Sequence, residues 1–482
     1  MHKLIVLVAF LMCGIAGAQE DLITELVLSR DPKTPSEFLQ VLEDAGHEVK
    51  THMVANRGAL NHSGGSFSVF GDVGPELTFG IFVEPDPRGH LVLQESFDVR
   101  LLIEVITQDR KTGLHNFWEL IGDGETADWH YRGNSLDVIA DVEEINMGPT
   151  DTPMFGTRLR CSGCHTGGGL VMKERFPYND WRNEEPLPTG KWINSPRVAD
   201  IAESSEPASH LDGLVRDSLR NYVRALEEHS PETPKQWFRS VLAPLEMNLV
   251  SDTRPYLTRI VEGSDVEIPA EFFVDPRLSG SLEPVQVPAK VYQQALKELG
   301  STFAADETPG LEETQHAFLV PTVSRFDRLR TESLLERGLL EEELLLDLLA
   351  VDFTTPLYSQ GRLGLMRLLP ENWSTSSELR EHLESQLRSR RATDEATAQL
   401  ADFILDPKFD ASYHRRRAGE FVDGCRQRAD QVETVKEWLR LAARRRVEIQ
   451  EAQTSANPRG SILEGGLGSE GFRRIFPAYD GF

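Results

Sequence analysis

The sequence predicts an α+β protein: a β-rich N-terminal domain, then a helical region, then a mostly helical C-terminal part. Three observations carry this expectation. Between Phe67 and Val142, short runs of apolar β-formers alternate with turns bearing Gly or Pro. From Ala289 onward, apolar residues recur at helical spacing in text rich in Leu and Glu. The chain has 482 residues, 39% of them hydrophobic. That is too long for one ordinary domain and apolar enough for real cores. The boundaries fall at residues 1–18, 19–148, 149–265 and 266–482.

Residues 1–18 read as a secretory signal. His2 and Lys3 precede an unbroken apolar run from Leu4 to Met12, and Ala16-Gly17-Ala18 offers a cleavage site before Gln19. The run is short for a membrane anchor, and Phe10-Leu11-Met12 is a poor context for lipidation of Cys13. The expected location is therefore periplasmic or secreted, with no transmembrane segment after cleavage. Next, Thr34-Pro35-Ser36-Glu37 is a capping box opening a helix through Phe38, Leu39 and Leu42 that stops at Gly46. Strands follow at Leu77–Val83, His90–Gln94, Leu101–Thr107, Leu114–Ile121, Trp129–Tyr131 and Leu136–Ala140, a meander of antiparallel hairpins. His115 and His130 lie beside aromatics. Half-buried structural roles suit both, with a distal metal ligand as the alternative.

Cys161-Ser162-Gly163-Cys164-His165 names a chemistry. The pattern C-x-x-C-H is the attachment pattern for c-type haem. Two thiols three positions apart on one helical turn reach the two vinyl groups on a porphyrin edge, and the next histidine lies under the ring with a nitrogen toward iron. With four Cys and 13 His in the whole chain, the pattern is rare by chance. A zinc site wants a second short-spaced ligand pair, and a thioredoxin-like dithiol wants a βαβ setting; neither is visible. Only one such motif is present, which excludes multi-haem wires and the usual two-haem peroxidases.

The segment Arg158-Leu-Arg-Cys-Ser-Gly-Cys-His-Thr-Gly-Gly-Gly169 resembles the haem-attachment segment of a c-type cytochrome, in the manner of large bacterial single-haem proteins that embed it in unrelated sequence. The match covers about a dozen residues. It implies haem c ligated by Cys161, Cys164 and His165, export before attachment, and redox chemistry at iron.

Around the motif, Gly167, Gly168 and Gly169 allow close backbone approach, either to a haem face or within a loop. Arg158 and Arg160 suit haem propionates or the surface. Phe176, Tyr178, Trp181 and Trp192 suit a haem pocket or a core. The sixth iron ligand is open between Met172, His210, His229, Met247 and none. Met172 is close in sequence for crossing the ring, and Met247 lies at the distance seen for methionine ligands in small c-type cytochromes, by resemblance.

Residues 196–260 read as helical, with Leu211, Leu214, Val215, Leu219, Val223 and Leu226 in period and a second capping box at Thr233–Gln236. Ile268–Pro288 reads as an extended connector. Helices are expected at Lys290–Leu299, Phe326–Arg337, Leu339–Leu349, Glu378–Arg391, Thr393–Leu405 and Ala411–Ala452. The basic runs Arg415–Arg417 and Arg444–Arg446 suit solvated helix faces, or docking to a partner or to acidic parts of the chain. Aromatics from Phe472 to Tyr479 suit a docked tail. Cys425, the one thiol left after cleavage and haem attachment, suits an inert buried position.

Net charge is −26, and losing Lys3 with the signal makes it about −27. Nucleic acid is excluded as a partner, since it needs basic patches; the charge suits solubility, or the steering of a basic redox protein toward the chain. The expected activity is covalent haem binding with one-electron transfer. Because small cytochromes manage with far fewer residues, the alternative is a haem-dependent oxidase, peroxidase or gas sensor with an open distal site.

Overall fold

In the computed structural model the described residues are 20–56, 67–85, 91–93, 97, 100–139, 165, 167–170, 179–181, 200–201, 203–206, 208–242, 247–248, 265–280, 282–299, 322–356, 359–390 and 394–441. The fold is mixed α+β, an antiparallel sheet followed by a mostly helical region. The expected signal at residues 1–18, Cys161, Cys164, Arg158, Arg160, Met172, Phe176, Tyr178, Trp192, Arg444–Arg446 and the tail lie outside the described residues.

The sheet runs β7 (Ala127–Asn134), β6 (His115–Gly122), β5 (Arg100–Gln108), β3 (Leu77–Pro85), β2 (Phe67–Asp72), β1 (Lys50–Asn56) and β8 (Asn179–Trp181), with β4 (Leu91–Leu93) also on β3. β8 comes from beyond the cysteine motif and closes the sheet beside β1. The period of two sorts residues between faces. Phe79 and Ile81 of β3, Ile103 and Val105 of β5, and Trp118 and Leu120 of β6 point to one side. There they bury Ile23, Val27, Phe38, Leu39 and Leu42 from the first helices. Helix α1 (Pro35–Asp44) starts where its cap predicts, Thr34 Oγ1 accepting from Glu37 N at 3.2 Å.

Asp21 is fully buried in this layer. Its Oδ2 accepts from Thr107 Oγ1 at 2.8 Å, Asn116 Nδ2 at 2.8 Å and Trp118 Nε1 at 3.1 Å, and its Oδ1 from Thr24 N at 2.8 Å. Four donors replace the water this carboxylate gave up, and three of them pin the segment around Asp21 onto β5 and β6.

Two local readings are corrected. Residues 135–139 are helical rather than a strand. Asn134 Oδ1 accepts from Leu136 N and Asp137 N, and Asp137 Oδ2 accepts in return from Asn134 N. This reciprocal cap outweighs the alternation of Leu136, Val138 and Ala140. Ile268–Pro288 is also no connector. Strands β10 (Val266–Ile268) and β11 (Val285–Val287) pair around two short helical turns, and Phe272, Phe273 and Val274 are core residues. Its prolines begin turns and flank the strands, which made buried text look extended.

The helical region begins with α2 (Ala208–His229), whose periodic residues Leu211, Val215, Leu219, Val223 and Leu226 are buried as their spacing requires. The second capping box closes at Thr233 and Gln236. Then come α3 (Arg325–Glu336), α4 (Glu342–Leu349), α5 (Ser376–Arg390), α6 (Glu395–Leu405) and α7 (Ala411–Arg426). The expected Ala411–Ala452 helix breaks at 427–431, where tighter backbone bonds such as Arg428 N to Cys425 O end α7; a further helix spans 432–441. Arg415 pairs with Glu342, Arg416 with Glu420 at 3.0 Å, and Arg417 lies 4.1 Å over the Phe353 ring. That basic run therefore serves the chain's own acids and aromatics. Arg362 is buried among the backbone oxygens of Val351, Asp352 and Thr355, and burial lowers its pKa to about 10. Burial likewise raises the Cys425 thiol, as an inert position requires. Among the described residues no helix is long and apolar enough to cross a membrane.

Replacing Asp21 with Ala strands buried donors on Thr107, Asn116 and Trp118, each worth ~1–3 kcal/mol when unsatisfied. Urea unfolding of Asp21→Ala is expected to lose about 3–5 kcal/mol against the parent chain. A loss under about 1 kcal/mol would show that the network does not hold the first helices.

Candidate functional site

The second face of β6 carries His115, Phe117 and Glu119, and the helical region packs on it. Helix α2 brings Ser218 and Tyr222 to this face; the Tyr222 ring lies 4.7 Å from His115, and Ser218 Oγ 3.4 Å from its Nε2. Helix α3, capped by Ser324 Oγ accepting from Asp327 N at 3.0 Å, adds Phe326, whose ring stacks with Tyr222 at 6.0 Å. The turn His165–Gly169 is set between these three elements.

The turn closes with Gly168 N donating to His165 O at 2.7 Å, at a Gly168 φ of +70°. Three successive carbonyls then accept one bond each. Gly167 O accepts from Tyr222 OH at 2.7 Å, Gly168 O from Ser135 Oγ at 2.8 Å, and Gly169 O from His165 Nδ1 at 2.9 Å. Ser135 Oγ also accepts from His115 N at 2.9 Å, which ties the turn to β6. A Cβ on Gly167 would sit 2.4 Å from the Phe326 ring, on Gly168 2.7 Å from Ser135 O, and on Gly169 2.6 Å from the Tyr222 ring. The glycine run is thus demanded by protein packing.

A carbonyl only accepts, so the His165 Nδ1 carries a proton and donates it to Gly169 O. Histidine ligands of metals are fixed by this kind of bond to a backbone carbonyl. The His165 ring lies 5.6 Å from Phe117 and is half-buried. His115, beside it, is fully buried, and burial, with the neighbouring His165 second, pushes its pKa down to about 3. It is a neutral core histidine bound up with Ser218 and Tyr222.

Two residues beyond Phe117, Glu119 Oε2 accepts from Arg132 Nε at 2.8 Å, with both side chains buried. Phe117 pairs with Gly133 and Trp118 with Tyr131, so Arg132 is the extra residue of a β-bulge.

The other candidates fall elsewhere. His130 is exposed on β7, and His229 on the last turn of α2. His210 bonds Glu206 at 2.5 Å and lines a polar cleft of about 350 Å³ with Lys50, His52 and Asp72. It is twelve residues from Tyr222 along α2, roughly 18 Å at 1.5 Å per residue. The backbone of Met247, in β9 (Met247–Asn248), pairs with Val323 of β12 (Thr322–Val323), three residues before Phe326. Tyr222, Ser135, Phe326 and Arg132 were not singled out in the sequence. Tyr222 alone left a signal, since a tyrosine in a buried stripe needs a partner for its hydroxyl.

No family model, curated protein or solved structure matches the chain.

Gly168→Ala adds a clash to a backbone angle that side chains avoid, and is expected to cost about 2–4 kcal/mol in urea unfolding. Gly124→Ala, at φ +101° with nothing within 4 Å of the added Cβ, is the control and should cost about 1–2 kcal/mol. Equal losses would mean that the packing of the turn is not what requires glycine.

Because His115 has a folded pKa of about 3 against ~6.5 unfolded, only the unfolded chain takes up its proton between those values. Stability from this residue is complete above pH ~6.5 and is lost as pH falls toward about 3, with a slope of up to ~1.4 kcal/mol per pH unit. His115→Gln should flatten the stability profile between pH 4 and 6; an unchanged slope would contradict the buried neutral state.

Proposed function

We propose that the chain binds one haem c covalently through Cys161 and Cys164, with His165 as axial ligand, and acts in one-electron transfer in the cell envelope. The observation that supports it is the His165 hydrogen bond: Nδ1–H donates to Gly169 O, the kind of bond that orients a histidine for metal ligation through its other nitrogen. The turn that follows the attachment motif is rigid, so the ring is oriented before any ligand is met. Phe117 supplies an apolar wall beside it. Bound haem would supply an Fe(III)/Fe(II) couple. The chain's part is to hold His165 in one orientation, to keep His115 uncharged behind it, and to limit water on this face of the sheet. The acidic chain would steer a basic redox partner toward itself, and export would follow from residues 1–18.

The second axial position separates two readings. His115 is engaged by Ser218 and Tyr222, and His210 by Glu206 at the far end of α2. Met247, whose strand β9 pairs with the strand β12 that leads into α3, is the candidate that suits a six-coordinate electron carrier. An open position would suit ligand or peroxide chemistry, the haem oxidase or sensor reading.

The protein, exported with a working haem-attachment system, is expected to keep haem on a denaturing gel, and Cys161→Ala with Cys164→Ala to lose it. Haem retained by the double variant, or absent from the parent, would overturn the assignment. In the reduced visible spectrum, a sharp α-band unmoved by carbon monoxide marks the electron carrier; a spectrum that shifts marks the open iron.

A further inference from the structure

Resting on the haem reading, we propose that Arg132 is a second-carboxylate anchor, one that bridges Glu119 and a propionate of the haem held at His165. The inference starts from an unmet bonding demand. Arg132 is 4% exposed, and its Nη2 is buried with no acceptor among the described residues. Buried guanidinium N–H groups almost always have acceptors. Glu119 Oε2 accepts from Nε at 2.8 Å, which leaves the guanidinium edge that carries Nη2 for another acceptor. The chemistry that fits such an edge is a carboxylate, which matches two parallel N–H donors.

Position selects the carboxylate. Glu119 lies on the same face of β6 as Phe117, one two-residue repeat or roughly 7 Å along the strand, and Phe117 lies 5.6 Å from the His165 ring. The ion pair is therefore beside the wall against which the axial ligand packs. Arg132 reaches it from a β-bulge, and bulges at such places re-aim a side chain. Glu104 stands opposite Glu119 across the ladder, so this face of the sheet already carries two acids. A further carboxylate beside them is favoured by the guanidinium, and without Arg132 its ionised form meets more repulsion.

The test uses the full-length exported holoprotein with Arg132→Gln, Glu119→Gln and the double variant, which leaves neither charge buried alone. Haem staining on a denaturing gel reports attachment, and potentiometric titration from pH 5 to 9 reports the midpoint potential. Arg132→Gln should keep its haem, lower the potential at pH 8, and move upward by ~1–3 units the pH below which the potential climbs, because a carboxylate that loses a neighbouring cation ionises less readily. The same displacement should appear when Arg132→Gln is made in the Glu119→Gln background. A potential and pH profile unmoved by Arg132→Gln, or a displacement that vanishes without Glu119, would overturn the proposal and leave Arg132 a partner of Glu119 alone. Absence of haem from the parent protein would instead overturn the haem reading itself.

Discussion

The carbonyl oxygens of Gly167, Gly168 and Gly169 each accept one hydrogen bond, and the donors come from three places: Tyr222 on α2, Ser135 after β7, and the ring of His165 itself. Phe326 of α3 covers the same turn. One five-residue stretch is thereby held by the sheet, the first long helix and the C-terminal helical region at once. Side chains on the turn would have kept these elements apart by the width of a methyl group or more, so the sheet-to-helix contact and the orientation of His165 have a common cause. The hydroxyls of Tyr222 and Ser135 are buried, and each satisfies a carbonyl that could not reach water. The turn is a tie of the fold as well as a frame for one imidazole.

Much of the fold was legible because local rules and tertiary demands agree. The cap at Thr34, the capping box at Thr233 and Gln236, and the apolar stripe of α2 all appear where the residues place them. Legibility failed where polar local bonds overrode an apolar pattern. Asn134 and Asp137 turn a strand-like run into helix, and prolines around Phe272 disguise a packed hairpin as a linker. At the candidate site, His165 was singled out from the motif alone. Its supports were not, because they stand 30 residues before it and 57 and 161 after it in the numbering. No spacing rule links Ser135, Tyr222 and Phe326; only the folded sheet and helices bring them together. The glycine run was read partly as room for a haem face, whereas the atoms that crowd it belong to the protein.

The two faces of β6 illustrate a division of labour. One face buries Trp118 and Leu120 against the first helices, with the Asp21 carboxylate as a hub for donors from three strand positions. The other carries His115, Phe117 and Glu119 to the turn of His165. A shift of one residue in register would exchange the faces, burying His115 and Glu119 among the apolar side chains of the first layer. The Asp21 network resists that shift, since Thr107 and Asn116 are a cross-strand pair and both donate to the same carboxylate oxygen. The apolar layer thus holds in place the face that bears the site.

Charge on that second face is arranged with similar economy. His115 is kept neutral by burial, and Tyr222 and Ser135 are neutral donors, so the immediate support of His165 brings no formal positive charge to its ring. The buried charges, Arg132 and Glu119, form a pair one strand repeat away. In the proposed one-electron site, nearby formal charges would set the balance between the two oxidation states, and burial magnifies each of them. Support by neutral donors and backbone carbonyls fixes geometry while adding little formal charge. A chain of this length around one histidine is then less surprising: orientation and electrostatics are assigned to different elements, and a sheet with helices on both faces is what keeps those elements apart and dry.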